Sequence, residues 1–332
     1  MTDSRKKSIR EFLRRLVHLP YFDLIATLLA ILIVVASLYA YSGNWPPMVV
    51  VESNSMQHGS GDVLGIINTG DIVLVKSVDV PSGVNTYVSS EPTGYSTYGE
   101  LGDVIVYHAN GDSTSVPVIH RAILWLDWNP ASSSYSAPSL FSLKCSQRGD
   151  YVTFPTGGSP SNPVCPSSPN AQIQGNIDLY HIGWQSAVVT ISLDQLASNP
   201  SNHYSGFITM GDNNFQIPGV GNYDQNGNCI ISCIVEPSWV VGVARGMLPW
   251  FGALKLWISG ETNCYGGPQG QPEGQCVPQA SWDYLALCIA LIIVLPMVVP
   301  WGVRKLQKKL RDGRQPQEPP IEEIEPPQHP ET

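Results

Sequence analysis

The sequence predicts a mainly β domain carried on two transmembrane helices. Three observations predict it. A long uncharged apolar run lies near each end of the 332-residue chain, and a cluster of basic residues borders each run on its terminal side. Between the runs comes a succession of short alternating apolar segments, broken by Gly, Pro and Asp.

Residues 1–23 form a basic N-terminus with Arg5, Lys6, Lys7, Arg10, Arg14 and Arg15. The span at 24–42, LIATLLAILIVVASLYAYS, holds no charge and would reach about 28 Å as a helix at ~1.5 Å per residue. A second uncharged run, YLALCIALIIVLPMVVPWGV, occupies 284–303, where Pro296 is expected to kink the helix. After it, residues 304–332 begin basic (Arg304, Lys305, Lys308, Lys309, Arg311, Arg314) and end as an acidic, proline-rich tail that reads as disordered. Loops rich in Lys and Arg stay on the cytoplasmic side, so the charge pattern predicts a multi-pass cell-membrane protein with both termini cytoplasmic and residues 43–283 outside. A cleaved signal peptide is the rival reading of the first run. Its length, and the consistent orientation of the second run, favour a retained helix. Tyr41, Trp45, Trp282, Tyr284 and Trp301 stand where interfacial aromatics are expected. Between residues 44 and 282 there are six basic against seventeen acidic residues, a balance that repels phosphates, so no nucleic acid is expected as a partner.

Within the outer region, PMVVVES, GDVLGIIN and GDIVLVKS alternate as strands do between Pro47 and Ser77. GDVIVYHA (102–109) and SVPVIHRAI (115–123) read as two more strands around a polar turn at Asn110–Gly111–Asp112. HIGWQSAVVTISL (181–193), GFITM (206–210) and WVVGVARGML (239–248) continue the pattern. Residues 81–100 and 127–178, rich in Ser, Gly and Pro, read as inserts.

Of seven cysteines, Cys288 falls in the second apolar run, and the other six lie in the outer region, an even number suited to an oxidising space. Fifteen connectivities are open; local pairing of Cys145–Cys165, Cys229–Cys233 and Cys264–Cys276 is the simplest. A metal at Cys229 and Cys233 would need a companion Cys or His pair at ligand spacing, which the sequence lacks. No cofactor is expected.

A serine becomes a nucleophile when a base takes its proton and donors stabilise the resulting oxyanion. Ser55, in VESNSMQHG, follows an apolar run and stands apart from the many loop serines. Candidate bases outside the membrane are His58, His108, His120, His181 and His203. Only His120 is embedded in a strand-like run, VPVIHRAI; Lys76, Lys144 and Lys255 have no comparable setting. GDNNFQIPGVGNYD (211–224) offers Asp212 and Asp224 to orient an imidazole. In isolation His120 reads as a core histidine and Gly-Asp-Asn-Asn as a turn.

Taken in order, these blocks resemble type I signal peptidases of the archaeal and endoplasmic-reticulum kind. VESNSMQHG is similar to their Ser-x-Ser-Met block, and GDVIVYH with VIHRAI to the strand block in which this branch carries histidine instead of lysine. ITMGDNN with a later aspartate is similar to their acidic block, and VVGVARGMLPWFGAL (240–254) to the return toward the membrane. The resemblance implies a signal-peptidase-like β-rich catalytic domain, with Ser55 as nucleophile, His120 as general base and an aspartate assisting it. Asp224 is the first choice for that aspartate and Asp212 the second, because twelve residues separate them where relatives are tighter. It further implies that Ser53 helps to form the oxyanion hole, with Met56 beside it at the substrate site. On a strand, Ser53 and Ser55 would share a face, whereas His58 would point to the other. His58 also stands where the family has proline.

The function so implied is a membrane-bound serine endopeptidase that cleaves signal peptides from secretory preproteins. Its partners would be those preproteins and the lipid bilayer, and the cytoplasmic tail leaves room for contact with the translocation machinery. Leu248, Trp250, Phe251 and Leu254 would either dip into the bilayer interface or pack in the core. Two other readings are a catalytically inactive surface protein or accessory subunit that binds secreted proteins, and a related serine peptidase acting on pilin-like proteins.

Overall fold

The structure is a computed structural model that describes residues 21–59, 61, 63–156, 163–229, 231–260 and 277–312. Helix α1 (Phe22–Ser42) is uniformly apolar through its middle and ends at Gly43, whose positive φ of 69° lets its N–H close on the Tyr39 carbonyl. Helix α2 spans Phe251–Ser259, and helix α3 spans Gln279–Asp312 with Pro296 and Pro300 inside it. Both α1 and α3 are long and apolar enough to cross a membrane, and neither buries the apolar stretch that would do so. Their exposed Leu, Ile and Val side chains are what a lipid-facing helix shows. The long helix α3 runs past the apolar stretch into the basic residues, so the second run does not end as a helix where its hydrophobicity ends.

Between α1 and α3 the chain is β-rich. The larger sheet has the order β1 (Met48–Val50), β2 (Ile72–Lys76), β14 (Val240–Leu248), β5 (Val104–Tyr107), β6 (Val118–Asn129), β11 (Gly206–Met210), with β7 (Ser134–Ser136) paired to the far end of β6. A smaller sheet has the order β12 (Phe215–Ile217), β13 (Val220–Gly221), β10 (Ala187–Ser192), β9 (Asn176–Ile182), β8 (Tyr151–Phe154). Strands β3 (Ser96–Thr97) and β4 (Glu100–Leu101) form a separate pair.

Two registers bring distant residues onto one face of the larger sheet. Strand β5 pairs with β6 antiparallel so that Ile105 faces His120 and Tyr107 faces Val118. On the other side of β6, Thr209 of β11 faces Ala122. Opposed residues share a face and the side-chain period is two, so Tyr107, His120 and Thr209 rise from the same face of three neighbouring strands. Arg121 rises from the opposite face. One residue further, the ladder skips Ile123 as a bulge, which re-aims Leu124 and Leu126 into the main apolar cluster, together with Tyr135, Ile177, Leu179, Val189 and Ile191.

Several sequence expectations change here. The described residues of GDVLGIIN form no strand: residues 63–66 make a turn closed by Ile66 N–H on the Val63 carbonyl, leaving Val63 and Leu64 exposed. Residues 53–56 are bend and turn as well, not a continuation of β1. The proline-rich 127–178 segment is more than a loop, since it supplies the end of β6, β7, β8 and the start of β9. The 81–100 segment carries a short helix whose Tyr87 and Val88 are buried in the main cluster. Cys145–Cys165 and Cys229–Cys233 are disulfides; Cys288 is free, and Cys264 and Cys276 lie outside the described residues. Leu248 and Leu254 are exposed, as are Trp257 and Ile258, while Ala253 and Leu256 face inward.

The Cys145–Cys165 loop borders β8, through a bridge from Cys145 to Tyr151 and another from Thr153 to Val164. Replacing both cysteines by serine is expected to cost about 3 kcal/mol. Hydrogen exchange should show the loss at Tyr151–Phe154 and not at Val104–Tyr107.

Candidate active site

Ser55 sits on a β-turn that the Gln57 N–H closes on the Asn54 carbonyl at 3.1 Å. The next residue, Met56, points inward. It is 1% exposed and packs with Val51, Ile67, Val73, Val104 and Ala244. Met56 therefore anchors the turn from below and offers no surface to a substrate, which corrects its expected place at a binding site. A turn, not a strand, also sets the relation of Ser53 to Ser55: their hydroxyls lie 3.1 Å apart because the chain curls between them.

His120 Nε2 lies 2.9 Å from Ser55 Oγ, and His120 Nδ1 lies 2.6 Å from Asp224 Oδ2. With the carboxylate at Nδ1, the network assigns the ring proton to Nδ1, which leaves Nε2 as the acceptor facing the serine hydroxyl. His120 is 4% exposed and Asp224 1%. A buried carboxylate needs donors, and Asp224 Oδ2 has two besides the imidazole: Tyr107 Oη–H at 2.9 Å and Thr209 Oγ1–H at 2.7 Å. The Asp224 N–H also donates to the Thr209 carbonyl at 2.9 Å, tying the loop after β13 to the edge of β11. Burial first, and then the Asp224 charge, push the Tyr107 phenol well above its ordinary value, so it stays a donor. Neither Tyr107 nor Thr209 stood out in the sequence, where each is one residue in an apolar strand.

Asp212 lies elsewhere. Its Oδ1 and Oδ2 accept from Arg121 Nε and Nη2 at 2.7 and 2.6 Å, and its Oδ2 is 3.3 Å from His58 Nε2. The second-choice aspartate is thus held on the face of β6 opposite His120. His58 stacks on Trp184 with centroids 5.7 Å apart, and the Trp184 indole N–H donates to the Asp212 carbonyl at 3.0 Å. Burial pushes the Asp212 carboxyl up, but the Arg121 guanidinium, its two hydrogen bonds and His58 more than offset this and hold it below its usual value. Glu100 is shifted the other way, raised by burial and by the Asp212 charge.

The residues after Asp212 return to the serine. Asn213 N–H donates to the Ser55 carbonyl at 2.7 Å, and Asn213 Nδ2 to the Asn54 carbonyl at 3.1 Å. Gly211 is hemmed in: a Cβ there would lie 2.6 Å from the Ser55 carbonyl oxygen and 2.9 Å from His120 Nε2. Among the described residues the Ser55 main-chain N–H has no acceptor, so together with the Ser53 hydroxyl it can serve an oxyanion. In front of the serine lies a cleft of about 590 Å³, walled by Val50, Val116, Pro117, Ile119 and Ile231, with Ser53, Ser55, His120 and Asn214 exposed to it. Glu52 stands at its rim, paired with Lys255 at 2.5 Å.

His108, His181 and His203, the other outer histidines, make no contact with Ser55: His181 bonds Ser186, and His203 stacks on Trp128. No protein-family profile, curated protein or solved structure matches this chain.

Gly211→Ala is expected to lower any Ser55-dependent turnover by ten-fold or more while the protein stays folded, because the added methyl must push aside either the serine turn or the imidazole; thermal melting and acylation by an active-site probe separate the two effects. Asp212, with its depressed pKa, contributes stability that is full above the ordinary carboxylate value of ~3.9 and is lost as pH falls through the folded-state value. Asp212→Asn should therefore lower stability at neutral pH by about 3–5 kcal/mol, since it strands a buried guanidinium, and should flatten the acid limb of a urea-stability profile below pH 5.

Proposed function

We propose that this chain is a membrane-anchored serine endopeptidase of the type I signal peptidase kind, acting on preproteins at the outer membrane surface. The observation that carries the reading is the contiguous chain of contacts from Ser55 Oγ to His120 Nε2 and from His120 Nδ1 to Asp224 Oδ2, opening on an apolar cleft. Hydroxyl, imidazole and carboxylate in this order are what acyl transfer by serine requires.

In the proposed cycle a substrate carbonyl sits at Ser55 Oγ. The serine proton passes to His120 Nε2 as Oγ attacks, and the imidazolium that forms is held by the Asp224 carboxylate. The tetrahedral oxyanion takes donors from the Ser55 N–H and the Ser53 hydroxyl. His120 then returns the proton to the departing amine, and a water deprotonated by the same nitrogen releases the acyl group. Two apolar helices support a bilayer location. Both termini cytoplasmic and the β-rich domain outside is the orientation the flanking charges favour. A signal peptide offers its scissile bond just beyond an apolar segment, and an enzyme held in the same bilayer meets it at high effective concentration.

The test uses the full chain in liposomes with a preprotein carrying an Ala-x-Ala site. Ser55→Ala and His120→Ala should abolish cleavage. Asp224→Asn should cost about 10⁴-fold by favouring the wrong imidazole tautomer, and Ser53→Ala about 10²–10³-fold. Undiminished cleavage in either of the first two variants, or no cleavage and no Ser55 acylation by the unmodified protein, would reject the reading. The second result would favour an inactive protein that binds secreted partners.

A further inference from the structure

The wall of the cleft contains one element that the proposed chemistry does not use. Ile231 lies in the loop closed by the Cys229–Cys233 disulfide and is 38% exposed, yet it lines the same cleft as Ser55 and His120. A singly exposed isoleucine is ordinary. This one is held in place. Directly after it, Ser232 is fully buried, the Cys233 N–H donates to Asn110 Oδ1 at 2.8 Å, and the Cys233 carbonyl accepts from Gln225 Nε2 at 3.3 Å. The Ile234 N–H donates to Asn202 Oδ1 at 2.9 Å, and Val235 exchanges both backbone hydrogen bonds with Phe207 of β11. The disulfide and these anchors tie Cys233–Val235 to Gln225, the neighbour of Asp224, and to the edge of the sheet.

Facing that loop is an unpaired strand edge. Strand β11 pairs with β6 only from Arg121 onward, while β5 covers the other side of β6 as far as Val118. Among the described residues, the backbone from Val118 to His120 therefore has no strand neighbour on the β11 side. An extended peptide can add there as a strand, laying every second side chain against the cleft wall. Val116, itself 66% exposed, and Pro117 complete an apolar corner with Ile231.

We infer that Ile231, presented by the Cys229–Cys233 loop, is a specificity-determining residue that accepts an aliphatic side chain lying within three residues of the scissile bond of an extended polypeptide substrate. The inference rests on the peptidase reading above. Removing the isoleucine takes away contact with one substrate side chain and leaves the reacting groups alone. It should raise KM for substrates that bear that side chain and leave kcat unchanged.

The experiment uses the full chain in liposomes and a panel of preproteins with Ala or Leu at each of the three positions on either side of the cleavage site. The wild type should prefer Leu over Ala at one position. Ile231→Ser should reduce that preference by about tenfold or more through KM, and Ile231→Leu should keep it. A Leu-over-Ala ratio unchanged by Ile231→Ser at every position, or no Leu preference in the wild type, overturns the inference while leaving the peptidase intact. Cleavage of no panel member by the wild type overturns the peptidase reading and this inference with it.

Discussion

The constraint on which the rest of the site depends is the burial of the Asp224 carboxylate. An ionised carboxylate inside a protein is costly unless donors surround it. Oδ2 meets three of them, from Tyr107, His120 and Thr209, on three successive strands of the larger sheet. Those side chains converge because the antiparallel registers place them on one face. A slip of one residue in either pairing would turn a donor to the other face and leave the charge short of a partner. Register and the geometry of the Ser55–His120–Asp224 contacts are thus one requirement. The same carboxylate that orients the imidazole also ties β5, β6 and β11 together.

The second carboxylate shows how one loop serves two faces of a sheet. His120 and Arg121 are neighbours on β6, so their side chains leave in opposite directions. The chain from Gly211 to Asp224 supplies an acid to each, Asp212 to the guanidinium and Asp224 to the imidazole. With Asp212 locked in a two-pronged ion pair, the intervening backbone has little freedom. Asn213 and Gly211, adjacent to it, are the residues that touch the Ser55 carbonyl side and the imidazole. The Arg121–Asp212 pair therefore acts on the serine through position, at a distance from the reacting atoms. Trp184, reaching over from the turn between β9 and β10, closes the same corner against the smaller sheet.

How much of this was legible in the sequence depended on the kind of signal each residue leaves. The two apolar helices announce themselves by length and lack of charge, and most strands by alternation. Ser55 and His120 stand out because a serine beside a membrane-proximal apolar run, and a histidine within one, are out of character for their surroundings. Tyr107 and Thr209 do the opposite. In VIVY and FITM they look like ordinary strand residues, and only the register reveals that their hydroxyls meet a carboxylate. The choice of Asp224 over Asp212 rested on the resemblance alone, since both lie in turn-forming stretches and the difference is which face of β6 each one reaches. Alternation misled at GDVLGIIN and around Ser53, where Gly65, with a φ of 92°, and the tight turn at Asn54 break the extended path. Of the smaller sheet, HIGWQSAVVTISL contains β10, whereas β8, most of β9, β12 and β13 lie in Pro- and Gly-rich chain, where composition outweighs periodicity.

The join between α1 and the sheet bears on how such a site would meet a substrate in a bilayer. The last residue of the helix is stitched to β2: the Ser42 hydroxyl donates to the Val75 carbonyl at 2.6 Å and the Ser77 N–H to the Ser42 carbonyl at 2.7 Å. Asn44 Nδ2 donates to the Val241 carbonyl of β14 at 2.9 Å, and Lys76 Nζ sits 5.1 Å over the Tyr41 ring. A flexible linker would let the domain sample many heights above the helix. Here the helix ends directly on the hydrogen-bond framework that carries β2, β14, β5 and β6 in turn, so the distance from helix end to His120 is set by strand spacing, about 4.8 Å per strand. On the proposed reading, that rigidity matters more than the tether alone. Confinement to two dimensions raises the encounter rate with any membrane-held chain, whereas a fixed height selects those whose scissile bond emerges at the level of Ser55. Selection by depth would then operate before any side chain is read in the cleft.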